Sequence, residues 1–262
     1  MAMKAPTERF GNRVDNYAKY RPRYPDAMLG FIRAIAPQSA SVADIGSGTG
    51  ILTKQLLGAG FEVYAIEPND PMRSEAERSL SAESLFHSVK GSAESTSLLD
   101  RSMDFITCAQ AFHWFDRGKA KPEFRRILRP GKWTALIWNE RQVDTSTFGW
   151  KYEELLRDRA PEYRQVDHRN VNAEDISAFF EPGEVIVKKF PNAQRLSHEA
   201  FIGRVLSSSY VPLAGEPSHR DILAAAERLF DESAVDGTVS FEYQTMLYLG
   251  RFDRVEGRRG TF

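Results

Sequence analysis

The 262-residue chain has one cysteine, Cys108, so it can close no disulfide within itself and build no cysteine-based zinc cluster. No apolar run approaches the roughly eighteen residues of a membrane-spanning helix, and the opening MAMKAPTERFGNR lacks the apolar core of a secretory leader. Neither charge is in excess: 35 Lys and Arg stand against 36 Asp and Glu, a formal charge of -1, so no bulk field attracts nucleic acid. These shortages lead to the expectation of a soluble, unprocessed, cytoplasmic protein with neither nucleic acid nor a membrane as partner. They leave the oligomeric state open.

What is present is an ordinary globular composition, 42% hydrophobic and 27% charged, long enough for a sizeable core in one decorated α/β domain. SVADI reads as a short buried strand. GILTKQLLGAG reads as a helix with apolar residues at 51, 52, 56 and 57, closed by Gly58 and Gly60, and FEVYAIE as a second strand. This is a strand, glycine turn, helix, strand crossover, whose turn lies at the ligand edge of a parallel sheet. The pattern repeats through a helix over PMRSEAERSL, strands at LFHSV and MDFITCAQA, a helix through KAKPEFRRILRPG and a strand at KWTALIW. Five strands alternating with helices over residues 40 to 138 predict an open, doubly wound sheet. Beyond Asn139, FGWKYEELLRDRAPEY reads as a helix, EVIVKKF as a strand, then two helical stretches, then the long alternating strand TVSFEYQTMLYLGRF. The final EGRRGTF reads as a fraying end.

The glycine turn itself, VADIGSGTG, places Gly46, Gly48 and Gly50 at alternate positions behind Asp44. Glycine admits positive φ and lets a ligand approach the main chain without meeting a Cβ. A dinucleotide fold would read G-x-G-x-x-G, and a triphosphate loop would place Lys and then Ser or Thr after its last glycine. The chain reads neither. A nicotinamide-dependent oxidoreductase is thereby disfavoured, and a non-catalytic nucleoside-binding module is the other alternative.

The spacing D-x-G-x-G-x-G, with Glu67 ending the next strand, resembles the class I S-adenosylmethionine-dependent methyltransferases over residues 10 to 140. Within them, CAQAFHWFD and YAKYRPRYP resemble the type 11 branch, near trans-aconitate and biotin-pathway carboxyl methyltransferases. The resemblance implies a Rossmann-like seven-stranded α/β sheet with helical insertions in the carboxy-terminal half. It also implies an amino-terminal helical cover over 1–35, a cofactor-binding core over 36–140, and insertions with the last two strands over 141–262, all in one integrated domain.

The cofactor it implies is S-adenosyl-L-methionine. Glu67, beside Pro68, would accept hydrogen bonds from two ribose hydroxyls. Asp44 would hold the glycine loop or the methionine amino group, and Gly46, Ser47 and Gly48 would leave room for the methionine part. In GSAES, Ser92 stands where the family usually carries an acid for the adenine amino group, with Ala93 and Glu94 beside it. Gln110 and Ala111 would pass beneath the methyl group, and Tyr17 and Arg21 would close over the methionine end.

Methyl transfer from a sulfonium needs positioning and exclusion of water, and a base only where the acceptor must lose a proton. His113 suits that base or an acceptor-orienting donor, and equally a structural imidazole. Phe112, Trp114 and Phe115 read as core rings or as a wall beside the sulfonium. Between Lys4 and Arg33, seven basic residues stand against three acids, interleaved with Tyr17, Tyr20 and Tyr24. This could grip single-stranded nucleic acid or form the cover. Trp114, Arg141, Arg204 and Tyr210 are the candidate substrate residues, and Arg21 of the cover borders the same face, because guanidinium forks suit a carboxylate. The expected reaction is methyl transfer to a small-molecule acid, at a carboxylate or nearby oxygen, with no metal.

Overall fold

The computed structural model describes residues 13–144, 147–160, 162–163 and 171–253. The basic amino-terminal residues before Arg13 and the EGRRGTF tail lie outside them. Seven strands form one sheet: β1 (Ser41–Ile45), β2 (Glu62–Ile66), β3 (Phe86–Val89), β4 (Met103–Ala109), β5 (Leu128–Arg141), β6 (Val185–Ser197) and β7 (Thr238–Gly250). Their order is β3-β2-β1-β4-β5-β7-β6. The β1–β2, β2–β3, β1–β4 and β4–β5 pairs are parallel, and Asp44 stands opposite Thr107 in the β1–β4 ladder. The chain winds outward from β1 through β2 to β3 and then restarts on the other side at β4. The winding therefore reverses between β1 and β4, which opens a crevice at the carboxyl ends of these strands.

Nine helices connect the strands among the described residues: α1 (Val14–Tyr20), α2 (Asp26–Ile35), α3 (Ile51–Gly58), α4 (Asp70–Ser79), α5 (Arg117–Ile127), α6 (Phe148–Arg159), α7 (Ala173–Phe180), α8 (His198–Leu206) and α9 (His219–Ser233). Local chemistry sets where several begin. The Asn69 side chain accepts from the Met72 amide at the start of α4, Asp116 does the same for Lys119 at α5, and Asn172 and Asp175 form a capping box at α7.

Among the boundaries that differ from the sequence reading, two bear on the sheet. The helix expected through Gly131 ends at Ile127, because Leu128 pairs with Met103 and joins β5 early, and Gly131 takes a φ of +72. β6 continues past the expected EVIVKKF to Ser197 and includes Pro191. That strand is at the edge of the sheet, where a residue without an N–H breaks no inner ladder.

The chain divides into two compact units. The glycine-loop unit comprises Asp26–Trp138, Val171–Lys189 and Met246–Phe262. Its core packs Ile45, Ile66 and Ile106 with Phe112, Phe124, Trp138 and Phe179, and the Phe112 and Phe179 rings meet edge to face at 4.8 Å. The arginine unit comprises Met1–Pro25, Asn139–Asn170 and Phe190–Thr245. Its core gathers Tyr152, Leu156, Phe201, Val205 and Phe241. On α9, Ile222, Ala226, Leu229 and Phe230 form the apolar stripe that joins this core. Each large side chain so buried contributes about 1.5–3 kcal/mol.

Candidate active site

In the glycine-loop unit the turn after β1 shows what each glycine is for. A Cβ on Gly46 would lie 2.5 Å from the Ala111 Cβ, so this glycine is required by the chain's own packing. Gly50, with φ of +82, is the left-handed residue that starts α3. Gly48 has φ of +58, and a Cβ there would meet only the Met72 sulfur at 3.8 Å, so this is the position with open space above it. The loop amides are already engaged: Gly46 and Ser47 donate to the Ile66 carbonyl, Gly50 donates to the Ser47 carbonyl, and Gly48 donates to Glu67. With these four amides engaged, what the loop offers is room and side-chain hydroxyls. The Ser47 Oγ and Thr49 Oγ1 atoms are buried with no hydrogen-bond partner among the described residues.

Two buried acids flank the loop. Glu67, 6% exposed, accepts from the Gly48 amide at 2.9 Å and the Asn69 amide at 2.8 Å, one on each oxygen. Burial raises its pKa above the ordinary range, and the two amides pull it back. An ionised carboxylate has about four acceptor sites, so each oxygen retains capacity for another donor such as a hydroxyl. Asp44 accepts from the Thr53 hydroxyl at 2.7 Å and the Thr107 hydroxyl at 2.8 Å, which ties β1 to α3 and to β4. Burial pushes its carboxyl up to about 6 against the pull of both threonines.

Pro68 is exposed beside Glu67, and Asn69 behind it is buried. Ser92 and Ser95 form an isolated backbone bridge that encloses buried Ala93, and the Ser92 hydroxyl accepts from the Glu94 amide at 3.3 Å. The Glu94 carboxylate accepts from the amide of Asp116, the residue that caps α5. Gln110 has φ of +55, a left-handed backbone at a non-glycine residue that costs on the order of 1 kcal/mol. Its amide donates to the Ile137 carbonyl. Of the aromatic run that follows, Phe112 is fully buried core, whereas His113, Trp114 and Phe115 are half-buried, and the His113 and Trp114 rings lie 4.7 Å apart. Phe115 would also lie within 3.6 Å of a Cβ on Gly46.

The remaining candidates, Tyr17, Arg21, Arg141, Arg204 and Tyr210, all fall in the arginine unit. Arg21 donates to the Ser207 carbonyl at 3.0 Å and lies 4.7 Å over the Tyr17 ring. Arg204 is 4% exposed and donates to the Ser208 hydroxyl at 3.2 Å. Arg141 pairs with fully buried Glu153 at 2.8 Å and lies 4.8 Å over the Tyr152 ring. Tyr210 packs on Tyr163 with ring centroids 4.8 Å apart. Burial would raise the Tyr210 phenol, but Arg141, Arg204 and Arg21 together outweigh it and hold the group below its ordinary value.

The sequence reading missed Tyr152, Glu153, Tyr163 and Tyr243 in this cluster. For Glu153 a signal existed, since the buried stripe of α6 is Gly149, Tyr152, Glu153 and Leu156, which puts an acid at a core position of an amphipathic helix. It also missed Thr53 and Thr107, which no local motif connects to Asp44.

The strand order and the glycine turn at the reversal point define a Rossmann-like methyltransferase fold. A solved structure from Anaeromyxobacter dehalogenans, described as a type II methyltransferase, superposes with a TM-score of 0.67 at 24% identity, covering 90% of this chain and all of that one. Another, from Anabaena variabilis and described as a methyltransferase of an antibiotic biosynthesis pathway, gives a TM-score of 0.61 at 20% identity, covering 88% of this chain and 98% of that one. The family described as a methyltransferase domain (type 11) matches residues 43–136. A Mycobacterium tuberculosis relative named as an uncharacterized methyltransferase is 36% identical over 144 residues, 55% of this chain and 56% of that protein. The match thus spans little more than half of such relatives' length. A Dictyostelium discoideum relative, also named as a methyltransferase, is 30% identical over 187 residues, 66% of this chain and 67% of that protein. The chain belongs to the methyltransferase family.

Proposed function

We propose that the chain transfers a methyl group from S-adenosylmethionine to a small-molecule acid, at a carboxylate or nearby oxygen, in the cytoplasm. The observation that carries the cofactor assignment is buried Glu67, fixed at the end of β2 by two backbone amides and with acceptor capacity to spare beside the turn that holds Gly48. The residues fit a sulfonium nucleoside on three counts: open space over Gly48, orphaned hydroxyls on Ser47 and Thr49, and a carboxylate suited to two ribose hydroxyls. When bound, the cofactor supplies an electrophilic methyl on a sulfonium, with a neutral thioether as leaving group.

The chain's own part is to hold and to orient. Glu67 accepts from the ribose, and Asp44 braces the loop through Thr53 and Thr107. Ser92 and Ala93 offer a hydroxyl and a main-chain group toward the adenine. His113 orients the acceptor or takes its proton. Arg21, Arg141, Arg204 and Tyr210 hold the acid, as in a carboxyl methyltransferase, because guanidinium forks bind carboxylate oxygens directionally. Tyr17 stacks with Arg21 and keeps that guanidinium in place.

Titration calorimetry with S-adenosylhomocysteine and with a nicotinamide dinucleotide tests the cofactor, and a metabolite screen with a labelled methyl donor tests the reaction. Binding of the thioether nucleoside alone, with label appearing in an acid, is the expected result. Binding of the dinucleotide instead would end the reading, and label appearing only in amines would end its acid part.

A further inference from the structure

Guanidiniums that are buried or half-buried in the arginine unit are treated in two ways. Arg141 is matched: Glu153 takes its Nη2 at 2.8 Å, and the same carboxylate accepts from the Tyr163 hydroxyl at 2.6 Å and pairs with Arg157 at 3.3 Å. Arg21 and Arg204 are not matched. Their hydrogen bonds go to a carbonyl and to a hydroxyl, and among the described residues neither has a carboxylate within ion-pair distance. Their acceptors are on consecutive residues, the Ser207 carbonyl for Arg21 and the Ser208 hydroxyl for Arg204, and the Arg204 charge adds to burial in lowering the proton affinity of Arg21.

The cluster is short of acceptors as well as of negative charge. The Nε atoms of Arg21, Arg141 and Arg204 and the hydroxyls of Tyr152 and Tyr243 are all buried without a hydrogen-bond partner among the described residues. Every one of these groups can donate, and guanidinium nitrogens can only donate. A fully apolar filler would leave all of them unsatisfied, and an unpaired buried ion costs several kcal/mol. The missing complement is a group made of acceptors.

We infer that Arg21 and Arg204, with Tyr152, Tyr210 and Tyr243 around them, form a receptor for a dianionic oxyacid. Glu153 cancels Arg141, which leaves Arg21 and Arg204 as the two guanidiniums of this set without a carboxylate among the described residues, while Arg13, also buried, gives its two Nη atoms to the Ser208 and Val211 carbonyls. A phosphomonoester and a dicarboxylate share this chemistry, one with both charges on a single group and the other with one on each of two. The inference rests on the reading that this unit holds the acceptor's acid group, and it narrows the acceptor from acids in general to acids of charge -2.

The test is calorimetry on the full chain at pH 8 and low salt, with two matched pairs of probes: butanedioate against butanoate, and phenyl phosphate against benzenesulfonate. At least one dianion should bind about tenfold or more tightly than its monoanionic partner. Which pair shows the preference identifies the source of the charge. In Arg204→Gln, and separately in half-exposed Arg21→Gln, the preference should fall to about threefold or less while a cooperative thermal transition is retained. Equal affinity within both pairs, no binding of any probe to the folded chain, or a full preference surviving in either folded variant would overturn the inference.

Failure of the wider reading looks different. A dianion preference without methyl transfer to any acid would remove the acceptor role and leave the receptor. Methyl transfer to monoanions, with no dianion preference, would do the reverse.

Discussion

The glycine-loop unit and the arginine unit each bury ionisable side chains, and they handle them in opposite ways. In the first, Asp44 takes two threonine hydroxyls and Glu67 two backbone amides, so each acid is satisfied by the chain that surrounds it. In the second, the Nε atoms of Arg21, Arg141 and Arg204 are buried with no partner among the described residues, and of these three arginines Arg141 alone has a carboxylate among them. The contrast separates two uses of buried charge. A satisfied acid shapes a backbone and keeps spare lone pairs aimed by that shape, whereas an unsatisfied guanidinium is unspent attraction whose complement comes from outside the chain.

Removing the one matched carboxylate should have the largest effect. Glu153→Ala leaves Arg141 buried and unpaired and the Tyr163 hydroxyl without its acceptor, and should cost about 3–5 kcal/mol in urea denaturation. A loss under about 1 kcal/mol would mean that Arg141 reaches water and that the two units do not differ as described.

The next effect is one of pH, on the satisfied side. The Asp44 carboxyl titrates near 6 in the folded chain, above its ordinary value of 3.8, so between these values the folded state binds more protons than the unfolded one. Stability then falls as pH rises, and the burial penalty is fully present above about pH 6. Asp44→Asn carries no such charge. Measured by denaturation from pH 4 to pH 7, its stability relative to wild type should rise by on the order of 3 kcal/mol. A constant difference would place Asp44 in contact with solvent.

Glu67→Gln keeps the shape and removes the charge, and should weaken S-adenosylhomocysteine binding by about 1.5–3 kcal/mol in calorimetry. Unchanged affinity in the folded variant would take Glu67 out of the cofactor site.

The smallest effects separate two glycines two residues apart. Gly46→Ala drives a Cβ against Ala111 and should cost about 1–3 kcal/mol of stability. Gly48→Ala meets open space, so it should cost only about 1–2 kcal/mol for its left-handed backbone. Its nucleoside affinity should drop more than its stability. Equal behaviour of the two variants in melting and in binding would erase the distinction drawn between packing glycine and ligand-facing glycine.

The two units were also unequally legible. The elements around the glycine loop follow from runs of a few residues: SVADI, the alternating glycines, the apolar stripe of α3 and Glu67 at the end of the next strand all read locally. What each glycine does was not readable, because the obstacle at Gly46 is Ala111, sixty-five positions away and adjacent only through the β1–β4 pairing. Glu94 was read on the adenine side beside Ser92, and its partner proved to be the amide of Asp116, across a loop. In the arginine unit, Arg21, Arg141 and Arg204 could be named one at a time as suited to an acid. Glu153, the carboxylate that neutralises one of them, left a trace only as an acid at a core position of α6, and of the surrounding tyrosines Tyr210 was named while Tyr152 and Tyr243 were not.

Hydrophobic periodicity and glycine spacing by themselves determined the alternation of strands and helices, the turn at the ligand edge and the acid at the end of β2. Those features depend on backbone conformation and on which face of one element is apolar, and both are local. Tertiary structure alone decided which buried charges are cancelled. Cancellation depends on distances in space that chain order does not set: Arg21 reaches the Ser207 carbonyl, 186 positions away, and no carboxylate among the described residues, while Arg141 reaches the carboxylate of Glu153, 12 positions on. Coulomb energy and hydrogen bonding act over a few ångströms of space and carry no memory of sequence separation.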